Sequence, residues 1–215
     1  YTAGFGTQTA AVACGGFVGT AAGTATEEYG GTSWTAGEDM GTARYGLAGC
    51  GTLTVGLAFG GREAPGSLST ATEEYDGTNW TTVTAMPGNR AAANCFGTQT
   101  AGIVCGGYAP SVMATALAYD GTNWTSSPSL NTAKGRSGCG GTGATNTAGL
   151  EMGGTPYSPS AVAERWDGTS WTNSGSLTTA RYGAGISDGK GNGIMVGGRT
   201  STAPSANVEE FTQST

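Results

Sequence analysis

Five Gly-Gly pairs recur along this chain at a nearly constant interval, and that interval constrains the fold more than any other feature. The steps between them are 45, 46, 47 and 44 residues. A Trp ladder runs in phase at steps of 46, 44 and 47 residues, and an Arg ladder at steps of 46, 46 and 45. Self-similarity at this period indicates one supersecondary unit repeated along the chain. The members of the ladders are Gly15, Gly16, Gly60, Gly61, Gly106, Gly107, Gly153, Gly154, Gly197 and Gly198; Trp34, Trp80, Trp124 and Trp171; and Arg44, Arg90, Arg136 and Arg181.

Each unit contains four short extended runs. In the second unit they cover residues 45–50, 54–59, 71–75 and 80–83. Gly, Asn, Asp and Ser bound these runs, which is typical of strands and turns. No window shows apolar residues at helical spacing, so we expect almost no helix.

A hairpin signal joins the third and fourth runs of each unit. It reads YDGTNW at 75–80 and 119–124, WDGTSW at 166–171 and YGGTSW at 29–34. The Gly after Asp can adopt positive φ without steric cost, and Asp is expected to cap the turn. The outer two runs of each unit carry large rings, whereas the inner two carry Gly and Ala. This distribution suits a wedge-shaped unit whose inner end is thin and lies near a central axis.

Four antiparallel strands in about 45 residues, repeated radially, are typical of a β-propeller blade. Solenoid repeats of this length would be helical pairs, which the glycine content excludes. We therefore expect an all-β fold, a single β-propeller domain over 1–215 with blades at about 1–43, 44–89, 90–135, 136–180 and 181–215.

The repeat is incomplete at both ends. By alignment Tyr1 matches Ala92, so the opening Arg is missing, and Thr215 falls one residue short of the expected Trp. Two interpretations stay open: five blades, the last without its outer strand, or a segment of a longer array. We favour five blades, with the first and last inner strands packed laterally.

Charge and cysteine content restrict the function. The net charge is −6 and there is no histidine, so no basic stripe is available to neutralise phosphates and we expect no nucleic-acid partner. No apolar run is long enough to cross a bilayer, so we expect no membrane insertion. The odd number of cysteines without CxxC spacing predicts small buried hydrophobes in a reducing cytosol, not a metal site or a disulfide framework. They are Cys14, Cys50, Cys95, Cys105 and Cys139.

Three Glu-Glu pairs are the strongest candidates for acid-base chemistry. Adjacent strand residues point to opposite faces, so the two carboxylates of a pair cannot share a site. We expect them to form structural ion pairs between blades with the Arg ladder. No nucleophile has a base beside it, so the chain is predicted to be no enzyme and to need no cofactor. The pairs are Glu27 and Glu28, Glu73 and Glu74, and Glu209 and Glu210.

The order of these residues resembles the kelch repeat over the whole chain. Gly-Gly closes the second strand, an aromatic follows about 14 residues later, a Trp stands five residues beyond and an Arg about ten further on. The resemblance implies a kelch-type propeller.

The amino-acid strings within the repeats show a more specific resemblance than the residue order alone. Strings such as ATEEYDGTNWT (71–81) and GTARYGLAGCGT (41–52) resemble the low-charge, kelch-like repeats in virion proteins of marine bacteriophages, especially those infecting cyanobacteria. The resemblance implies a structural or binding module of a tail fibre or surface appendage, made in the host cytoplasm and located in the virion. Its partners would be other virion proteins and a host surface glycan or protein. A secreted or cell-surface carbohydrate-binding, lectin-like propeller is the alternative.

The loops that follow the Gly-Gly pairs differ from blade to blade. In an antiparallel blade they emerge on the same face as the loop from the fourth strand to the next Arg. Variable aromatics and arginines on one face favour recognition of a sugar or a partner protein. The alternative, that these loops vary because nothing constrains them, stays open. The candidate ligand-binding residues are Arg62, Tyr108, Tyr157 and Arg199.

Overall fold

The computed structural model describes residues 2–136, 138–141, 146–155, 158–188 and 193–212. Within these ranges the chain is a five-bladed β-propeller of antiparallel strands without helices, as the sequence predicts. It follows that no described helix is long enough to cross a membrane.

The first four blades have four strands each and the fifth has three. In the first blade these are β1 Ala3–Thr7, β2 Ala10–Cys14, β5 Thr26–Tyr29 and β6 Trp34–Ala36, with β3 Phe17–Val18 and β4 Ala21–Ala22 paired in a loop. The second has β7 Ala48–Thr52, β8 Val55–Phe59, β9 Thr72–Tyr75 and β10 Trp80–Thr82; the third has β11 Asn94–Thr98, β12 Ala101–Cys105, β13 Ala116–Tyr119 and β14 Trp124–Ser127. The fourth has β15 Gly138–Gly141, β16 Gly149–Met152, β17 Val162–Trp166 and β18 Trp171–Ser176; the fifth has β19 Gly185–Asp188, β20 Gly193–Val196 and β21 Val208–Phe211.

The core consists of four apolar clusters, each lying between two consecutive blades. The innermost strands pack side by side in the same order, β1 on β7, β7 on β11, β11 on β15 and β15 on β19. Because consecutive blades bury their facing surfaces against each other, the blade-to-blade contacts decide the stability of the fold.

The Gly-Gly pair closes each blade onto the next one. The Gly61 N–H donates to the Arg90 carbonyl at 2.8 Å. Gly60 has φ +64°, and a Cβ there would lie 2.5 Å from the same carbonyl oxygen, so only glycine allows this approach. The equivalent backbone bonds run from Gly16 to Arg44, from Gly107 to Lys134 and from Gly154 to Arg181.

The side chain of the same basic residue turns back into its own blade. Arg44 is fully buried; its Nη1 donates to the Gly60 and Ala71 carbonyls at 2.9 Å each, and its Nη2 to Glu73 Oε1 at 2.8 Å. Arg181 binds Glu209 in the same way at 2.6 Å. The expected ion pairs therefore exist, but they lie within a blade and not between blades. The link between blades is made by the backbone of the basic residue.

The third member of this ladder is Lys134 and not Arg136, which corrects the sequence alignment. Lys134 is fully buried, accepts the hydrogen bond from Gly107, and places its Nζ 3.3 Å from Glu151 and 3.4 Å from Glu164. Lysine satisfies the position because any buried cation with a long stem can reach the carboxylates. We call Arg44, Arg90, Lys134 and Arg181 the basic rungs.

The third blade shows that a carboxylate is not required at every rung. Leu117 occupies the position that Glu73 holds in the second blade. Arg90 donates instead to the carbonyls of Gly106 and Thr115, at 3.1 Å each. Backbone acceptors therefore satisfy part of the buried guanidinium in this blade.

Aromatic side chains of the outer strands attach each blade to the one before it. Trp80 packs edge-on against Phe5 with ring centroids 6.4 Å apart, and its indole N–H donates to Thr26 Oγ1 at 3.0 Å. The Tyr75 hydroxyl donates to Glu28 of the first blade. The next pair of blades repeats the pattern, with Trp124 on Thr72 at 3.1 Å and Tyr119 on Glu74 at 2.8 Å.

Within the described ranges, these contacts are missing where the fifth blade would meet the first. Trp34 is 51% exposed whereas Trp171 is 5% exposed, and the Tyr29 hydroxyl donates to Gly31 in its own turn. On the opposite flank Val208 is 59% exposed and stands where Thr26 and Thr72 accept an indole N–H. Among the described residues no packing comparable to that of the other inner strands joins β19 to β1. The three-stranded last blade is confirmed, but the expected lateral packing of the first and last inner strands is not found.

This open flank predicts unequal roles for equivalent tryptophans. Trp80→Ala should lower the free energy of unfolding by about 3–5 kcal/mol, because it removes a large ring packed between blades. Trp34→Ala should cost less than about 1 kcal/mol, because that ring lacks a preceding blade. Urea unfolding of both variants measures the difference. Equal losses would show that the first blade is packed as tightly as the second.

The buried pair in the second blade generates a second prediction. Glu73→Gln should lower the free energy of unfolding by about 3–5 kcal/mol, because it leaves the Arg44 guanidinium buried without its carboxylate. Glu27→Gln is the matched control, since Glu27 holds the same position in the first blade and is exposed. Its effect should stay within about 0.5 kcal/mol. Equal effects of the two variants in urea unfolding would refute a structural role for the buried pair.

Candidate functional site: the axial cavity

Consecutive blades are also joined by a chain of hydrogen bonds two residues beyond the basic rungs. Ala92 N–H donates to the Gly46 carbonyl at 2.8 Å, Arg136 to Ala92 at 2.9 Å and Gly183 to Arg136 at 2.7 Å. All four residues have positive φ, between 51° and 61°. Glycine adopts this conformation freely, whereas Ala92 and Arg136 carry the steric cost of a Cβ. The fold therefore requires the backbone shape at this position but no side chain.

The loop after each Gly-Gly pair is held beside this chain. Backbone bridges pair Tyr45 with Arg62, Ala91 with Tyr108, Gly135 with Thr155 and Tyr182 with Arg199. In each pair the first residue follows a basic rung and the second follows a Gly-Gly pair. The two sets of loops therefore meet on one face of the propeller, as the strand order predicts.

Two adjoining hollows open on this face, with volumes of about 630 Å³ and 800 Å³. They share Arg62, Ala91, Ala92, Arg136 and Tyr182, so we treat them as one axial cavity. The remaining polar and aromatic lining comes from Tyr45, Asn94, Tyr108, Thr155, Ser158, Arg199, Thr200 and Ser201, among others. Volumes of this size are typical of ligand sites.

Three of the four candidate residues come together in this cavity. Arg62, Tyr108 and Arg199 line it. Tyr157 lies outside the described residues, but Thr155 and Ser158 of the same loop line the cavity. Sequence reasoning missed Tyr45 and Tyr182, which directly follow Arg44 and Arg181. It also gave Arg136 a scaffold role, because an Arg two residues from the true rung fits the ladder spacing equally well.

The lining of the axial cavity is cationic in a chain of net charge −6. It contains three arginines and no Asp or Glu. None of the three guanidinium groups forms an ion pair within the described residues. Arg62 donates from Nη1 to the Gly66 carbonyl at 2.9 Å and lies 5.6 Å above the centre of the Tyr108 ring. These two contacts orient Arg62 before any ligand binds.

The repeated acidic residues serve the scaffold. In the second blade Glu73 binds Arg44 while Glu74 accepts from Tyr119 of the next blade, so the two carboxylates diverge as expected. Burial, with the bond to Glu74, raises the pKa of Tyr119. At the hairpins Asp76, Asp120 and Asp167 each accept two backbone N–H groups. Those bonds, first from Asn123 and then from Thr122, lower the pKa of Asp120.

The described cysteines form no disulfide with one another and do not line the axial cavity. Cys14, Cys50 and Cys105 are buried and Cys95 is half-buried. Burial raises the pKa of Cys14 to about 12, which keeps it protonated and unreactive. The side chain of Cys139 lies outside the described part of the structure. No group of three metal-ligating side chains occurs among the described residues.

Fold and site together define a five-bladed β-propeller with a cationic, tyrosine-lined axial cavity. No family model matches this chain, and no curated protein matches it significantly.

The conformation of Arg136 generates a prediction about stability. Arg136→Gly should leave the free energy of unfolding unchanged or raise it by up to about 1 kcal/mol, because it relieves a left-handed conformation. Gly46→Ala is the reciprocal variant; a Cβ there meets no atom within 4 Å, so only the backbone cost of about 1 kcal/mol applies. Thermal unfolding measures both. A large destabilisation by Arg136→Gly would show that the side chain belongs to the scaffold.

Proposed function

We propose that this chain is a non-enzymatic binding module that recognises its ligand at the axial cavity. One observation carries the proposal: the repeated residues bind one another, while four of the five residues that follow a Gly-Gly pair line one cavity. These four are Arg62, Tyr108, Thr155 and Arg199, and they differ from blade to blade; Phe17 of the first blade is not part of the lining. Variation concentrated on one concave surface of a rigid scaffold favours recognition.

The lining also supports a function in binding and not in catalysis. Acid-base catalysis needs a group that exchanges protons near neutral pH, and nucleophilic catalysis needs an activated nucleophile. The cavity presents arginines, tyrosines and small hydroxyl residues, and the chain has no histidine. Such side chains hold a ligand by charge, hydrogen bonds and ring contacts.

The proposal for the biological setting rests on the amino-acid strings of the repeats. We propose that the blades are kelch repeats and that the chain serves in a bacteriophage virion, in a tail fibre or surface appendage. There it would contact other virion proteins and attach to a host surface glycan or protein. A secreted or cell-surface lectin is the second candidate, and the same tyrosines favour it because aromatic rings pack on the apolar faces of sugars.

Binding of the chain to glycans and to cells tests this proposal. The chain is applied to an array of bacterial and non-bacterial polysaccharides and to whole cyanobacterial cells. We expect saturable binding that Tyr108→Ala reduces by at least about tenfold, since the variant removes a ring of the cavity. Trp34→Ala is the matched control, because it removes an exposed ring on the flank of the first blade.

Two outcomes would contradict the proposal. The first is an absence of binding to every polysaccharide and cell type. The second is binding that Tyr108→Ala leaves unchanged. Either would favour a purely structural module that docks on neighbouring virion proteins. Binding to polysaccharides of many non-bacterial sources would favour the lectin alternative.

A further inference from the structure

We infer that the axial cavity binds an acidic saccharide, and that Arg62, Arg136 and Arg199 hold its carboxylate or sulfate group. The inference rests on the proposed function, in which the cavity is the ligand site, and adds the chemical class of the ligand. It depends on how the chain distributes its few cationic residues.

Nine Lys and Arg residues must serve the whole chain. Four are the buried basic rungs, which bind carboxylates and carbonyls of the scaffold. Arg165 packs over the Phe211 ring at 5.8 Å, and Lys190 lies outside the described residues. The other three all line the axial cavity. Within an acidic protein, three arginines in one concavity without a carboxylate generate a local attraction for anions.

Arg136 is the most informative of the three. It stands at a position where two other blades have Gly46 and Gly183, in a backbone conformation that disfavours any side chain. Its side chain is exposed and makes no ion pair within the described residues. Strain of this kind is tolerated where a side chain has a function. The fold does not need a guanidinium here, so we assign it to the ligand.

Arg62 and Arg199 complete the cationic lining from two other blades. Both follow a Gly-Gly pair and are held by backbone bridges, to Tyr45 and Tyr182 respectively. One of the five N–H donors of Arg62 binds the Gly66 carbonyl. The structure shows no bond from the others to a described residue, so they can bind a ligand. A guanidinium binds a carboxylate or sulfate through two parallel hydrogen bonds, which suits a planar or tetrahedral oxyanion.

The remaining lining favours a saccharide as the carrier of that anion. Tyr45, Tyr108 and Tyr182 present rings beside the arginines. Thr155, Ser158, Thr200 and Ser201 add hydroxyl groups, which both donate and accept hydrogen bonds. A ring with an apolar face, several hydroxyls and one anionic group matches this combination. An acidic peptide would use the arginines but leave the rings and hydroxyls without a role.

Calorimetric titration of the whole chain tests the inference with defined probes. They are trigalacturonate, its methyl ester, a sulfated galactose trisaccharide and a hexaglutamate peptide. We expect trigalacturonate or the sulfated sugar to bind at least about tenfold more tightly than the neutral ester, and added salt to weaken binding. The preference between the two anionic sugars distinguishes a carboxylate from a sulfate.

Two arginine variants test whether the preference for an anionic sugar comes from the axial cavity. Arg136→Gly and Arg199→Ala should each weaken binding of the anionic sugar by at least about tenfold while binding of the neutral ester stays constant. Thr125→Glu is the matched control: it also lowers the net charge by one unit, but on an exposed position of β14 opposite Ala118. It should change the affinity by less than about twofold.

Three results would overturn the inference. Equal binding of neutral and anionic sugars, insensitive to both Arg variants but lost in Tyr108→Ala, would leave the proposed function standing and remove only the anion. Binding of hexaglutamate alone would assign the cavity to an acidic protein partner. An absence of binding for all four probes, together with no binding to polysaccharides and cells, would overturn the proposed function as well.

Discussion

The contact on which the rest of this structure depends is the hydrogen bond from the second glycine of each of the first four pairs to the carbonyl of the next basic rung. It joins the end of one blade to the start of another through backbone atoms. The basic side chain of the same residue then enters its own blade and binds one or two carbonyls and, in three of the four cases, a carboxylate. One residue thus anchors two blades. Both glycines are required because the first approaches that carbonyl more closely than a Cβ allows.

The use of so many side chains in the scaffold limits where a binding function can be located. In a chain with 11% charged residues, four of the nine cationic side chains and several carboxylates serve the scaffold. The tryptophans and tyrosines of the outer strands also serve the scaffold, because they attach a blade to the one before it. The exception is the open flank of the first blade. A side chain that none of these contacts requires is therefore informative. Arg136 is the strongest case, since the backbone at its position is satisfied by glycine in two other blades.

Much of the fold could be predicted because its signals are local. The hairpin at 75–80 needs a positive φ and a capping carboxylate within six residues, and Gly77 and Asp76 supply them. The four-strand unit follows from turns at regular spacing. The predictions were wrong where residues of different type fill the same structural role. Lys134 does the work of an arginine, so an alignment by residue type assigned its place to Arg136. The ion pairs were placed between blades because the ladder spacing carries no information on which way a side chain turns.

Periodicity left five blades and a segment of a longer array both open, but the local signals of the chain were sufficient to predict four-stranded blades and variable loops after each Gly-Gly pair. Those properties depend on periodicity and turn chemistry, which act over a few residues. The three-dimensional structure was needed to place Arg62, Tyr108 and Arg199 in one cavity with Arg136, and to show that among the described residues the flanks of the first and fifth blades do not pack on each other. Both depend on the angle at which successive blades pack, because small rotations at each interface add up around the axis and no single repeat encodes their sum.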